Sequence, residues 1–234
     1  MKACGISIVI PVFQEAYTIN HTLDHLINLP FSGRFDIIVV DAAPSPTTIG
    51  AIRRTDVAKI TAPRGRGPQM NRGAAAAAGD ILLFLHADTR LPLDALESVA
   101  EALRSPRIVG GAFHLGIASS NPLFRVIEAA VSLRTRLTRI PYGDQALFFD
   151  RRFFSRIGGF SDIGIMEDVE LMRRVKKGGH RIRILPARVR TSPRRWQREG
   201  IVTCTLRNWL LLTRFYLGTP PDRLARHYRA ATAG

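Results

Sequence analysis

Cysteine is almost missing: Cys4 and Cys204 are the only two in 234 residues, and they form no C-x-x-C pair. That count excludes a disulfide framework and a cysteine zinc site. Lysine is scarce as well, with only Lys2, Lys59, Lys176 and Lys177. No apolar run reaches the roughly 18 residues that a membrane-spanning helix needs. The opening run carries Pro11 and ends at Glu15, so it reads as a first strand rather than a signal peptide. The expectation is a soluble, cytoplasmic chain, or one peripheral at the inner face of the membrane. Neither G-x-G-x-x-G nor G-x-x-x-x-G-K-[ST] occurs, which disfavours dinucleotide dehydrogenases, P-loop kinases and adenosyl-dependent methyltransferases. Repeats, linkers and low-complexity segments are missing too.

What is present is a globular composition, 46% apolar and 23% charged, with a mean hydropathy of +0.02. The charge is lopsided: 34 bases against 19 acids give +15, and thirty of the bases are arginine. Residues 1–100 are balanced, nine bases to nine acids, whereas residues 101–234 hold 25 bases and ten acids. Such an excess fits a polyanionic partner or a solvated basic face, and the bidentate fork of arginine favours phosphate. With no interleaved aromatic-basic platform and no recognition-helix motif, nucleic acid is not the expected partner.

Continuous apolar runs at 6–12, 35–40, 58–62 and 81–85 predict parallel strands covered on both faces. Helical stretches at 16–28, 47–54 and 68–78 separate them, the last with Gly67 as cap and Pro68 at the first helical position. Beyond residue 89 the pattern loosens. It predicts helices at 93–104, 122–138, 169–177 and 201–217, and strands at 107–117 with a Gly-Gly break, at 146–149 and at 181–185. The fold class is α/β with a mainly parallel sheet flanked by helices, in a single domain whose halves divide near residue 100.

Ligands of open α/β sheets bind beyond the carboxyl ends of the strands. Asp41 closes the second strand and Asp88 the fourth, so both carboxylates are expected to be solvent-reachable there. Each suits a ribose hydroxyl, a base edge or a metal; the alternative is a helix cap or turn. Arg64 and Arg66 sit in a glycine-rich loop before a helix, a place suited to an anion. Glu167-Asp168 precedes the 169–177 helix, as a base or as caps. His21 and His25 share one helix face without a third ligand in view, and read as surface residues.

Taken together, Ser7 to Glu15, the strand ending at Asp41, Arg64 to Gly73, Leu85-His86-Ala87-Asp88, Gly158-Gly159-Phe160 and Glu167 to Leu171 resemble family 2 glycosyltransferases over residues 5–200. The length, the 63–74 run and the later GDQALFF and RRW pieces are similar to the short bacterial subgroup of selenodomain-associated transferases. The resemblance implies a GT-A (Rossmann-like) fold, with residues 1–100 as a nucleotide-sugar half and residues 101–234 as a basic acceptor half. It also implies sugar transfer with inversion from a nucleoside diphosphate sugar of UDP or GDP type. Pro11, Glu15, Asp41, Arg64, Arg66, His86 and Ala87 would line the donor, with Glu15 and Asp41 on the nucleoside. Asp88 matches the last acid of the family's DxD motif, which holds Mg2+ or Mn2+ against the diphosphate. Asp168 matches the general base, and Asp144, Gln145, Glu167, Arg195 and Trp196 would lie on the acceptor or diphosphate side.

This sequence departs from the family pattern at three places. His86 stands for the first acid of DxD, as metal ligand, ribose contact or buried histidine; Ala42-Ala43 follow Asp41 instead of Asp-Gly; and Ser192 stands where processive members carry Gln, which argues against polymer synthesis. The arginine-rich second half points to a lipid-linked or phosphorylated acceptor or an anionic membrane surface. Two rivals remain: nucleotidyl transfer onto a sugar phosphate, which wants a glycine-rich loop after the first strand, and a non-catalytic basic nucleic-acid-binding module.

Overall fold

The computed structural model describes residues 5–45 and 47–232. The first part alternates β1 (Gly5–Val12), α1 (Ile19–Ile27), β2 (Arg34–Asp41), α2 (Thr47–Ala51), β3 (Ala58–Thr61), α3 (Arg66–Ala76) and β4 (Ile81–Phe84). Strand β1 lies parallel between β2 and β4, and β3 pairs parallel outside β2. Apolar runs form these strands because successive side chains point to opposite faces and both faces are covered. Thus Ile6, Ile8 and Ile10 enter one core cluster together with α1, while Val9, Ile38 and Val40 enter the other with Met70 of α3.

The second part carries β5 (Thr89–Arg90), α4 (Ala95–Leu103), β6 (Ile108–Ile117), α5 (Pro122–Thr138), a 3-10 turn (Gly143–Gln145), β7 (Phe148–Asp150), α6 (Arg151–Arg156), α7 (Glu167–Lys177), β8 (Arg181–Thr191), α8 (Arg194–Glu199), α9 (Ile201–Tyr216) and α10 (Pro221–Thr232). The sheet order is β3-β2-β1-β4-β7-β6-β8-β5. Four short or weakly patterned elements, β5, α6, α8 and α10, have no counterpart in the sequence expectations.

Three expectations need correction. The Gly110-Gly111 pair does not break its strand: a Cβ on Gly111 would lie 2.0 Å from the Arg183 carbonyl oxygen and one on Gly110 2.4 Å from Phe149, so these glycines admit the neighbouring strands. The strand expected at 181–185 continues to Thr191, and Pro186 falls in the irregularity where the register jumps from Ala112↔Ile184 to His114↔Arg188. Helix α3 starts at Arg66, with Gly65 at φ 145° as its cap, so Pro68 lies inside the first turn.

Helix α3 packs hard on the sheet. A Cβ on Gly73 would stand 2.3 Å from Val9 Cγ1. The buried Gln69 side chain donates to the Val12 and Val40 carbonyls, 2.8 Å each, satisfying the ends of β1 and β2. Asn71 donates to the Phe160 carbonyl at 2.7 Å and accepts the Phe160 N–H at 2.9 Å, fixing the loop that leads to α7.

Candidate active site

Beyond the carboxyl ends of β1 and β4, an arginine joins two acids. Arg194 donates through both terminal nitrogens to Glu15, one bond at 2.8 Å, and its Nε lies 3.1 Å from Asp88 Oδ2. Thr18 also donates to Glu15, at 2.6 Å. Burial pushes the Asp88 carboxyl up; Arg194 works against that rise and Glu15 adds to it. Arg194 itself is held more firmly protonated, first by its hydrogen bond to Glu15.

His86 begins the same segment. Burial, followed by the positive fields of Arg66 and Arg194, pushes its imidazole down to about 3. The ring is therefore neutral near pH 7 and presents a lone pair. Arg66 projects from the start of α3. It keeps open surface, yet it lies deep enough in the cleft for desolvation to oppose its charge, and Glu167, Tyr228, Asp168 and Asp88 outweigh that effect.

Asp168 lies across from these groups, in the first turn of α7. Its Oδ2 accepts the Gly143 N–H at 2.6 Å and its Oδ1 the Val169 N–H at 2.7 Å, which orients the carboxylate. A Cβ on Gly143 would be 3.1 Å from Asp168 Oδ2 and 3.5 Å from His86 Nε2, so all three meet at one point. Met166, immediately before α7, takes the left-handed conformation at φ 67°, which a non-glycine residue adopts at some cost. Buried Glu167 is pushed up by its burial and by Asp168, with Arg66 working against the rise. Burial likewise pushes Asp144 up to about 6, and its Oδ1 is buried without a hydrogen-bond partner. That buried oxygen is an unsatisfied acceptor.

Other expected residues sit elsewhere. Asp41 is not solvent-reachable: it is fully buried, accepting from the Ala43 N–H at 2.9 Å and the Ile49 N–H at 3.3 Å. Gln145 is also buried and internally satisfied; it donates to the Phe113 carbonyl at 2.9 Å and accepts from Arg134, Thr135 and Tyr142. Arg195 turns away from the acids of the cleft toward Asn208 and the Tyr228 ring, and Trp196 packs edge-on against Phe124 at 5.7 Å. Neither reaches Asp88 or Asp168; the neighbouring Arg194 is the one that enters. Arg64 lies over the Phe13 ring at 4.5 Å on the exposed rim. Pro11 pairs with Val40 inside the sheet, and buried Ala87 receives the Thr22 hydroxyl at its carbonyl. His25 contacts the Leu91 carbonyl at 2.9 Å and His21 is exposed, so that pair forms no site.

Among the described residues no group of three or more His, Cys, Asp or Glu could hold a metal by itself. The Asp88 carboxylate and the neutral His86 imidazole, two residues apart in one loop, are donor types that fit a divalent cation taking its other ligands from a diphosphate and water; in this structure Asp88 is engaged by Arg194. A hollow lined by Pro106, Arg107, Val109, His180 and Arg181 contains no acid.

Comparison with known proteins bears on this arrangement. The chain is 27% identical over 225 residues to the probable glycosyltransferase YdaM of Bacillus subtilis, covering 82% of this chain and 52% of that protein. It thus spans about half the length of YdaM. It is also 27% identical over 183 residues to an uncharacterized glycosyltransferase of Mycobacterium tuberculosis, covering 74% of this chain and 69% of that one. Among solved structures, the mannosyltransferase PcManGT of Pyrobaculum calidifontis, in complex with GDP-Man and Mn2+, superposes with a TM-score of 0.62 at 20% identity, over 99% of this chain and 70% of that one. TarS 1-349 of S. aureus, in complex with UDP-GlcNAc, gives 0.62 at 15% identity over 80% and 58% of the two chains. These likenesses show the GT-A fold. The sequence profile described as Glycosyl transferase family 2 matches residues 7–161, well over half of the chain, so the protein belongs to glycosyltransferase family 2.

Proposed function

We propose that the protein transfers a sugar from a nucleoside diphosphate sugar of UDP or GDP type to an acceptor hydroxyl, with inversion and with Asp168 as general base. The observation that carries this reading is the opposition of Asp168, clamped by the Gly143 and Val169 N–H groups, to the Glu15–Arg194–Asp88 cluster across His86. The diphosphate would occupy the side lined by Arg66 and Arg194, whose guanidiniums offset its charge. Asp88, with His86 two residues before it in the same loop, would hold Mg2+ or Mn2+, which when bound supplies positive charge to the departing diphosphate. Asp168 takes the acceptor proton as the acceptor oxygen forms its bond to the anomeric carbon. The bond from that carbon to the diphosphate oxygen breaks on the opposite face, and its electron pair leaves with the nucleoside diphosphate. Asp144 follows Gly143, which donates to the base, so it would border the acceptor side. PcManGT holding GDP-Man and Mn2+ supports the donor class and the metal.

The test is a panel of nucleoside diphosphate sugars with Mg2+ or Mn2+, read as ligand-induced thermal shift and slow donor hydrolysis. At least one donor is expected to stabilise the chain in a metal-dependent way. If none binds even with metal present, the donor assignment falls.

A further inference from the structure

Apolar side chains left in water are concentrated on two helices. Of the twelve large apolar residues that stand most exposed among the described residues, four are on α5 and six belong to α9 or to Leu217 just after it. On α5, Val126 (66% exposed), Leu133 and Leu137 (74%) recur with helical spacing opposite the buried Phe124, Glu128 and Thr135. On α9, Val202, Leu206 (62%) and Trp209 do the same opposite Cys204, Leu211 and Phe215. Each helix therefore turns an apolar stripe to water on the side away from its buried residues, whereas a helix at the surface of a soluble protein normally shows water a polar face.

The two helices meet near their starts. There, Phe124 and Ile127 of α5 share a cluster with Trp196 and with Ile201 of α9. Toward the end of α5, Arg134 lies 3.4 Å above the Tyr142 ring. Exposed Arg136 and Arg214 flank the two stripes and form no ion pair among the described residues. Among the described residues no helix is long and apolar enough to cross a membrane.

We propose that the α5–α9 face seats this protein on an anionic lipid surface, with the apolar stripes in the headgroup boundary and the flanking arginines on lipid phosphates. Charge decides between lipid and a second copy. A chain of net charge +15 would bring like-charged arginines together in a symmetric dimer, whereas an anionic bilayer complements both the apolar stripe and its basic rim. A tryptophan with its ring in the boundary and its N–H in water is at home at such an interface. The inference is independent of the donor and of the reaction, and its test reads binding alone.

The full chain is mixed with phosphatidylcholine vesicles, with and without about 30% phosphatidylglycerol, and sedimented at low and high salt. Expected is partition to the anionic vesicles, weakened by salt. The double variant Leu206→Ser/Trp209→Ser should lose partition by about tenfold, and Arg136→Gln/Arg214→Gln should flatten the salt dependence. In wild type and in a Trp196→Phe background, brominated lipid should quench Trp209, a readout that stands even where the serine variant fails to fold. No partition at low salt, partition unchanged in the serine variant, or an unquenched Trp209 would each overturn the proposal. So would a stable dimer of the wild type that the serine variant turns into monomer.

Discussion

Asp144 carries the most quantitative consequence. Its carboxyl rises from an ordinary 3.8 to about 6 because burial disfavours the charge, with Arg134 only partly offsetting it. Below 3.8 the group is protonated in both the folded and unfolded chain and costs nothing. Above about 6 it is ionised in both, and the folded state bears the full difference, roughly 3 kcal/mol at ~1.4 kcal/mol per pH unit. This raised acid therefore destabilises the fold progressively between those limits, the reverse of a salt-bridged aspartate. Asp144→Asn removes the titration while keeping the shape, and Asn leaves the same buried Oδ1 position to be filled. The informative quantity is therefore the difference between the two pH profiles. Urea unfolding of wild type and variant from about pH 4.5 to about pH 7.5 should show the variant gaining about 2 kcal/mol relative to wild type across that span. In thermal melts that is roughly 5 °C. Parallel profiles would show that Asp144 is solvated, and would refute the unsatisfied-oxygen argument.

Two further outcomes address the base. Asp168→Asn should keep the donor-induced thermal shift and lose transfer by about 10²- to 10⁴-fold, whereas wild-type activity would remove Asp168 from the reaction. Gly143→Ala places a methyl 3.1 Å from Asp168 Oδ2 and 3.5 Å from His86 Nε2. Displacing the base by a few tenths of an ångström should lower kcat by about tenfold with little change in melting temperature; unchanged kcat would mean that the clamp does not position it.

The nucleotide-side frame was legible because its strands are apolar runs closed by punctuation: Asp41 and Asp88 do end strands or the turns after them, and the glycine-rich loop does open α3. What the residues do there was less legible. Asp41 spends both oxygens on backbone N–H groups of the turn that follows, a matter of loop conformation with no sequence period. The arginine that enters the cleft is Arg194 rather than Arg195, because α8 is only six residues long and its rotation is set by Trp196 packing on Phe124. Gln145 looked available beside Asp144, yet it closes the 3-10 turn by binding Tyr142, Thr135 and Phe113. A tripeptide cannot announce which of its side chains turns inward. The Gly110-Gly111 pair was misread for a related reason, since close strand approach and strand termination demand the same residue type.

The contact of Gly73 with Val9 determines how stiff each side of the cleft is. With no room for even a methyl between helix and strand, and with Asn71 bolted to the Phe160 backbone, α3 behaves as a strut, and the backbone that carries Arg66 at its tip is a fixed post. Arg194 stands on the opposite footing: α8 buries none of its residues fully, and the guanidinium is located by the very carboxylates it faces. One positive charge is thus mounted on the frame and the other on a spring whose anchor points are Glu15 and Asp88. Any ligand that draws on those two carboxylates acts on the spring and leaves the post where it was.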